Sequence, residues 1–519
     1  MINVFQQLRK NIKREVSSHP KTYNFLALIL VLGLFVRVYR LDALLGFYFD
    51  QGRDALVVWR LWHEGKPFLI GPVTGLAGIF LGPLYYYIIA PFYLLGGGNP
   101  VTPAVFLAFL STIATFFLYL LGWKFHNRTT GLIAVTVGVF SLELVKAGRW
   151  LANPTPILFT SMLILWSMLK ITNQSQKSKV KSQKLNLWWI MIALLIGISL
   201  QFEAASAVYY IPIFLVLIIW QRKVLPSKKI LLFSSLLFFA TLFPQIIFNF
   251  RHENLLFNNF LKLIFEEKSF RLSFWHVLGV RADYFWSVFY SKIIPDRPLT
   301  AGIFSITSFF VLIIEKKSQE VKKSLKLILL FLLTPMIGIT LFQGNFGNIF
   351  DYYLTGYYLP MILVFSLGLG LIWKRKLGKY VVLTFFILFF IRNGSLLRYY
   401  LIAGVDGPEH ITMGNELQAV NWVFENSKER GVFNIDVYVP PVIPHAYDYL
   451  FLWQGTRRCG DNLCGLLWDE QTPLLYTLYE VDPPHPWRLE AWLDRQEGIG
   501  VVEEEVSFGG IIVQRRSRI

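Results

Sequence analysis

A short polar stretch, Phe47–Asp54 (Phe-Tyr-Phe-Asp-Gln-Gly-Arg-Asp), follows the first apolar run and holds side chains suited to acid–base chemistry. Asp50 and Asp54 are carboxylates, and Arg53 lies one helical turn after Asp50. Charged groups at a membrane border are costly to desolvate, so such a cluster suggests a site. A carboxylate here could remove a proton from a hydroxyl, and a guanidinium could pair with a phosphate. The structural alternative is that Asp50 is only the N-cap of the following helix.

The composition predicts a membrane protein. Of the 519 residues, 54% are hydrophobic and the mean hydropathy is +0.48, which is far more apolar than a soluble protein of this length. The net charge of +17 does not indicate a nucleic-acid partner. Its Lys and Arg residues concentrate in short loops between apolar runs, as in polytopic membrane proteins. No small-residue cleavage site follows the first apolar run, which therefore reads as a retained span.

Eleven apolar runs approach the roughly 20 residues that a helix needs to cross a bilayer. They are Tyr23–Tyr39, Thr102–Trp123, Thr130–Lys146, Thr155–Ile171, Leu187–Ser206, Ala207–Trp220, Ile230–Phe250, Thr300–Ile314, Leu325–Phe342, Tyr352–Trp373 and Tyr380–Leu397. A further run, Ile79–Leu95, contains Pro83, Pro91 and three consecutive tyrosines. We predict about 11 transmembrane helices, with Ile79–Leu95 as a re-entrant or surface helix.

The distribution of Lys and Arg among the loops decides whether Ile79–Leu95 crosses the membrane. With a cytoplasmic N-terminus and Ile79–Leu95 not crossing, all the strongly basic loops lie inside, as the positive-inside tendency requires. These loops are Lys124–Arg128, Lys170–Lys184, Arg222–Lys229, Lys316–Lys326 and Lys374–Lys379. If Ile79–Leu95 crossed, the same loops would face outside. The outside face then carries the loops 41–101 and 251–299 and the turn Gln343–Asp351.

The chain divides into a transmembrane domain, residues 1–400, and a soluble extracytoplasmic α/β domain, residues 401–519. From about Val405 the sequence is polar. Helical spacing predicts helices at Ile411–Lys428, Ile443–Trp453 and Pro486–Gln496, and alternation predicts strands at Asn434–Val439 and Leu474–Glu480 and a hairpin at Val501–Val513. Cys459 and Cys464 have a spacing that permits a local disulfide in an oxidising compartment, and a disulfide or free thiols are favoured over a metal site.

In its motifs the chain resembles the C-type (GT-C) membrane glycosyltransferases, in particular glycosyltransferase family 39, with the protein O-mannosyltransferases, and the lipid A aminoarabinose transferases. The resemblance covers about Leu30–Ile171. It rests on the segments FVRVYRLD, FDQGRDA, GPLYYYIIAP, AGRWLANPTP and FNFRHENLLF. It implies a catalytic module built from the first seven spans and the first outside loop. It also implies a sugar donor on a polyprenyl phosphate and no cofactor.

Carried over to this chain, the resemblance makes Asp50 the catalytic base that deprotonates an acceptor hydroxyl in an inverting transfer. The second acid usual in the family is Gln51 here, which argues against a metal site. Some relatives place a Lys where this chain has Gly82, so other cations must hold the donor phosphate. The candidates are Arg53, Arg149 and Arg251, and the further substrate-binding candidates are Asp54, Tyr85, Tyr86, Glu203 and His252.

Each candidate has a structural alternative. Arg149 and Arg251 could snorkel at span ends, and this alternative is stronger for Arg37 and Arg40. The tyrosines could belong to an interfacial aromatic belt, and Glu203 could lie in a solvated turn.

At the level of function, the implied partners are a polyprenyl-phosphate sugar, an acceptor lipid, glycan or protein, and membrane lipids. The rival functions are a transporter or flippase of lipid-linked sugars, an oligosaccharyl transferase that uses a diphosphate carrier, and a non-enzymatic membrane scaffold. A transporter would be expected to show internal repeats and broken midplane helices.

Overall fold

The computed structural model describes residues 6, 10, 13–74, 78–173, 182–266, 273–315, 319–342, 348–403, 410–440 and 443–519. Up to residue 403 the described chain is helical. Its helices are α1 (Pro20–Val38), α2 (Leu41–Leu44), α3 (Phe49–Glu64), α4 (Leu84–Leu95), α5 (Val101–Phe125), α6 (Arg128–Phe140), α7 (Leu142–Arg149), α8 (Ile157–Thr172), α9 (Ser182–Phe202), α10 (Ala204–Ala207), α11 (Tyr210–Trp220), α12 (Lys228–Arg251), α13 (Leu255–Phe265), α14 (Phe274–Ser291), α15 (Pro298–Glu315), α16 (Gln319–Leu341), α17 (Tyr358–Trp373) and α18 (Gly378–Arg398). Short 3₁₀ turns span Arg222–Val224 and Asp351–Tyr357, and a π-helical turn, Tyr399–Ala403, ends this part.

The polytopic helical fold is confirmed. In the described part of the chain, eight helices are long and apolar enough to cross a membrane: α1, α5, α9, α12, α15, α16, α17 with the turn before it, and α18 with the turn after it. The other three predicted spans correspond to the shorter apolar helix α8, to α10 with α11, and to the bent pair α6 and α7. Helix α4 has only 12 residues. Parts of the predicted segments Lys170–Lys184, Lys316–Lys326 and Gln343–Asp351 lie outside the described residues.

The predicted span Thr130–Lys146 is not one helix, because α6 and α7 meet at Ser141 with a bend of 65°. A break inside a bilayer leaves backbone groups that need partners. The Arg37 guanidinium supplies some of them, donating to the carbonyls of Gly138 (3.1 Å) and Val139 (3.2 Å). Arg37 is 1% exposed, so the snorkelling expected of it is wrong. On the other side of the bend, the Leu142 amide donates to Asn393 Oδ1 at 2.9 Å.

The C-terminal part of the chain forms a small α/β unit. It consists of α19 (Met413–Ser427), β1 (Phe433–Tyr438), α20 (His445–Cys459), a 3₁₀ turn (Gly460–Gly465), β2 (Leu474–Glu480), α21 (Pro486–Glu497), β3 (Gly500–Phe508) and β4 (Ile511–Arg518). The sheet order is β1-β2-β4-β3, with β1 and β2 parallel and the other pairs antiparallel. Helices α19 and α20 pack on one face, whereas Trp492 of α21 contacts Tyr438 and Tyr479 on the other. Cys459 and Cys464 form a disulfide.

This unit packs directly on the long loop between α1 and α5. Helix α20 lies against α3 so closely that a Cβ on Gly52 would meet the backbone of His445 and Ala446 at 2.3 Å. Tyr449 and Trp453 donate to the carbonyls of Gly98 (2.5 Å) and Gly97 (2.7 Å). One buried apolar cluster therefore runs from α3 and α4 into the C-terminal sheet.

Candidate functional site

Helix α3 begins with a cap that does not involve Asp50. Tyr48 is the N-cap residue, and its amide donates to Gln51 Oε1 at 3.1 Å. Asp50 is the second residue of the helix, so the alternative that it is only the N-cap is wrong. The buried Gln51 satisfies a backbone donor that a helix N-terminus leaves unpaired. The glutamine in place of an acid thus has a structural role.

Arg53 joins the two carboxylates. Its Nη1 lies 2.8 Å from Asp50 Oδ1, while Nε and Nη2 donate to Asp54 Oδ1 at 3.0 and 2.8 Å. The Tyr86 hydroxyl also donates to Asp54 Oδ1, at 3.0 Å. The Asp54 side chain is 4% exposed and that of Asp50 is 60% exposed. A buried carboxylate thus orients Arg53, and Arg53 orients an accessible carboxylate.

The environment separates the two acids. Burial raises the pKa of Asp54 to about 6, and the adjacent Arg53 guanidinium opposes this rise. The Asp54 side chain is therefore shielded from solvent and holds Arg53 in place, whereas solvent or a substrate can reach Asp50. Tyr85 and Tyr86 are buried close to Asp54, so an exposed aromatic belt does not describe them.

Glu203 is buried at the break between α9 and α10, where its Oε1 accepts from the amide of Ala205 at 3.1 Å. The alternative of a solvated turn is therefore wrong. Glu203 and Asp50 both interact electrostatically with Tyr352, which precedes α17. The structure therefore brings Asp50, Glu203 and Tyr352 into one neighbourhood.

Arg149 ends α7 and is 2% exposed. Its Nη1 donates to the carbonyls of Val36 and Tyr39, both at 2.9 Å, so snorkelling does not describe it. Arg251 and His252 lie exposed at the end of α12, with the His252 ring stacked on Phe248. Among the contacts of the described residues, none joins Arg251 or His252 to the Asp50 cluster.

A cavity of about 690 Å³ lies between the segment before α3, helix α7 and the turn before α17, and its lining does not include Asp50, Arg53 or Asp54. It is lined by Tyr48, Arg149 and Tyr352 and by charged residues that the sequence analysis missed, namely Glu143, Lys146, Lys292 and Asp351. Lys292 is 1% exposed, and its Nζ lies 3.0 Å from Asp351 Oδ2. The sequence signal that was available is a lysine on the predicted outer side, where the positive-inside tendency disfavours lysine.

A side chain at position 82 would require Gln201 to move. A Cβ at this position would lie 1.7 Å from Gln201 Oε1. Gln201 is fixed in turn by donating to the Thr241 carbonyl at 2.6 Å and to Gln245 Oε1 at 2.9 Å. A neutral amide network between α9 and α12 therefore lies next to Gly82.

Comparison with known proteins adds independent evidence on family and fold. Residues 81–248 match the family model described as dolichyl-phosphate-mannose-protein mannosyltransferase. This match includes Tyr85, Tyr86, Arg149 and Glu203 but not Asp50. A search of curated proteins finds no match.

Solved structures match over nearly the whole chain. The crystal structure of ArnT from Cupriavidus metallidurans bound to undecaprenyl phosphate has a TM-score of 0.59 at 10% identity, covering 95% of this chain and 98% of that one. Its apo form has a TM-score of 0.60 at 10% identity, with coverages of 96% and 98%. The Archaeoglobus fulgidus oligosaccharyltransferase in complex with Zn and sulfate has a TM-score of 0.51 at 12% identity, with coverages of 91% and 71%. The protein therefore has the GT-C fold of membrane glycosyltransferases, as the resemblance in its motifs implied.

Proposed function

We propose that this protein transfers a sugar from a polyprenyl-monophosphate carrier to an acceptor hydroxyl at the outer face of the membrane. The observation that carries the proposal is the accessible Asp50 carboxylate, held by Arg53 at the start of α3 in a chain with the GT-C fold. The mannosyltransferase family match and the undecaprenyl phosphate bound to ArnT support a lipid-phosphate donor.

In this mechanism Asp50 accepts the proton of the acceptor hydroxyl as that oxygen attacks the anomeric carbon. The bond from the anomeric carbon to the phosphate oxygen breaks, its electron pair leaves with the lipid phosphate, and the configuration inverts. Because Arg53 is also held by Asp54, its guanidinium keeps its position when Asp50 becomes protonated. Arg53 is then available to stabilise the negative charge of the leaving phosphate.

The remaining predicted residues take supporting roles in this proposal. Arg149 contributes positive charge to the cavity, and Glu203 contacts a sugar hydroxyl. Arg251 and His252 contact lipid headgroups at the end of α12. The N-terminus is cytoplasmic and the C-terminal unit is extracytoplasmic, because this orientation places the basic loops inside.

No metal takes part in the proposed reaction, because paired guanidinium groups can neutralise a leaving phosphate. In the part of the chain that the structure describes, no three His, Cys, Asp or Glu side chains are grouped closely enough to hold an ion.

Asp50→Asn tests the base. The amide keeps the size of the side chain but cannot accept a proton, so we expect a loss of transfer of about 10²-fold or more. The matched control is Asp42→Asn, an exposed acid on α2 of the same loop, which should retain the wild-type rate. Purified variants in nanodiscs would be assayed with a labelled polyprenyl-phosphate sugar. The donor would be chosen from the lipid-linked sugars that accumulate in a deletion strain. If Asp50→Asn transfers sugar as fast as Asp42→Asn, Asp50 is not the base.

A further inference from the structure

A proline-rich segment of the C-terminal unit, Asp482–Trp487, connects β2 to α21 and presents an indole ring to solvent. Trp487 is 59% exposed, although it belongs to one of the largest apolar side-chain types. Three of the six residues in the segment are prolines, and proline restricts the backbone to few conformations. A large ring held in solvent by a rigid segment loses little conformational freedom when it binds a partner.

Hydrogen bonds fix the base of this segment. The Tyr438 hydroxyl of β1 donates to Asp482 Oδ2 at 2.9 Å, and the His485 amide donates to the Asp482 carbonyl at 3.0 Å. The Asp482 side chain is 2% exposed, and its Oδ1 lies 3.6 Å from His485 Nδ1. The partly exposed His485 ring meets the Trp487 ring edge to face, with 5.2 Å between the ring centroids. A buried carboxylate thus orients a histidine beside an exposed indole.

The segment leaves the sheet at the end that adjoins the cavity. His410 lines the cavity, and its carbonyl accepts from the Gly510 amide at 2.9 Å. The Gly510 carbonyl accepts in turn from the Val481 amide at 3.0 Å, and Val481 directly precedes Asp482. Two backbone hydrogen bonds therefore connect the cavity wall to the segment that carries Trp487.

The groups on this surface match the chemistry of a sugar ring. The C–H groups on one face of a pyranose can pack on an indole, while its hydroxyls exchange hydrogen bonds with imidazole and guanidinium groups. Arg488 is exposed next to Trp487 and is near enough to Tyr438 to interact with it electrostatically. Contact with an anionic lipid surface is disfavoured, because α21 also exposes the acids Glu490 and Asp494.

We infer that Trp487 and His485 form a carbohydrate-binding surface on the C-terminal unit, with Arg488 as a further hydrogen-bond donor. The sugar ring stacks on the indole of Trp487, and its hydroxyls bond to His485 and Arg488. Asp482 and Tyr438 position His485 without touching the ligand. The inference rests on the proposed function only for assigning this sugar to the transfer reaction. The sugar has two possible sources, a saccharide acceptor or the sugar of the donor.

The test measures saccharide binding to the full-length protein in phosphatidylcholine nanodiscs. The probes are arrayed oligosaccharides of mannose, glucose, galactose, N-acetylglucosamine and glucuronic acid. Trp487→Ala should weaken binding by about tenfold and His485→Ala by about fivefold, whereas Trp487→Phe keeps an aromatic face and should retain most of the affinity. The matched control is Trp468→Ala, which removes another exposed tryptophan of the same unit and should bind like the wild type.

If the wild type binds none of the probes, or if Trp487→Ala binds them as tightly as Trp468→Ala does, the inference is overturned. The transfer assay separates the two sources of the sugar. A higher KM of Trp487→Ala for the acceptor alone assigns the sugar to the acceptor, and a higher KM for the donor alone assigns it to the donor. Unchanged KM values for both would remove the surface from the transfer reaction. Because binding needs no turnover, an active Asp50→Asn variant would refute the proposed function and leave the binding result unchanged.

Discussion

The contact between Gly52 and helix α20 can be tested by adding a single methyl group. Gly52 is buried in α3, two residues after Asp50. A Cβ there would lie 2.3 Å from the Ala446 nitrogen and the His445 carbonyl carbon and 2.4 Å from the His445 oxygen. All three are backbone atoms, so no side-chain rotation can relieve the overlap. In Gly52→Ala, either α3 or the C-terminal unit must move.

The magnitude follows from two opposing effects. Alanine in place of a helical glycine stabilises a helix by about 1 kcal/mol. Overpacking costs about 1–3 kcal/mol, and the upper part of that range applies because an ordinary contact requires a shift of about 1 Å between two backbones. We expect a net loss of about 1–2 kcal/mol. The control Gly394→Ala lies in α18, where a Cβ would meet nothing within 4 Å, and it should stabilise by up to about 1 kcal/mol.

Thermal unfolding of both variants in the same detergent would measure this difference, and the transfer assay would report its effect on the site. A displacement of about 1 Å at a catalytic group can reduce the rate by about 10²-fold, so Gly52→Ala should also lose most of its activity. If Gly52→Ala is as stable and as active as Gly394→Ala, the C-terminal unit does not pack on α3 as described.

Three further predictions concern ionisation and metals. Burial raises the pKa of Asp54 from its ordinary 3.8 to about 6, so the folded state binds the Asp54 proton more tightly than the unfolded state does. The stabilisation of the fold by this proton is complete below pH 4 and is lost as the pH rises through 6. Relative to Asp54→Asn, the wild type should lose roughly 3 kcal/mol of unfolding free energy between pH 4 and 7, and an equal pH dependence of the two melting temperatures would contradict this. Burial and the nearby Glu480 raise the pKa of Glu416 well above its ordinary value, and both of its carboxylate oxygens are buried without described hydrogen-bond partners. Glu416→Gln, which resembles the protonated form, should therefore gain stability over the wild type as the pH rises from 5 to 8, and an unchanged difference in melting temperature would exclude this explanation. A chelator should leave the transfer rate within about twofold of its starting value, since phosphate can be neutralised by guanidinium groups, and a loss that Mg²⁺ or Mn²⁺ restores would show that a metal is required.

Local sequence patterns predicted most of the elements. The strand Leu474–Glu480 has the predicted bounds, and the helix Pro486–Glu497 extends one residue beyond them. Both follow from apolar periodicity, which depends only on neighbouring residues. The break at Ser141 was not predicted in this way, because its neighbours contain no proline and the run of residues 130–146 is apolar enough on average to resemble one span. Its backbone groups are satisfied by Arg37 and Asn393, which are far from it in sequence.

In the candidate site, too, sequence spacing predicts the residues that are close along the chain but not those that the fold brings to them. Asp50, Arg53 and Asp54 occur within one helical turn and a half, so spacing alone could group them. Their support comes from Tyr86 and, through the contact of Gly52, from His445 and Ala446 of the C-terminal unit. None of these has a spacing relation to Asp50.

Two buried arginines connect the first span to the bent helix pair in a reciprocal way. Arg37 of α1 donates hydrogen bonds to the carbonyls at the end of α6. In return, Arg149 of α7 donates to the carbonyls of Val36 and Tyr39 at the end of α1. Each guanidinium thus satisfies a helix end that lipid could not. The loop that carries Asp50 starts directly after Tyr39, so Arg149 fixes the start of that loop. The placement of Asp50 therefore depends in part on this one side chain, and its loss should lower turnover.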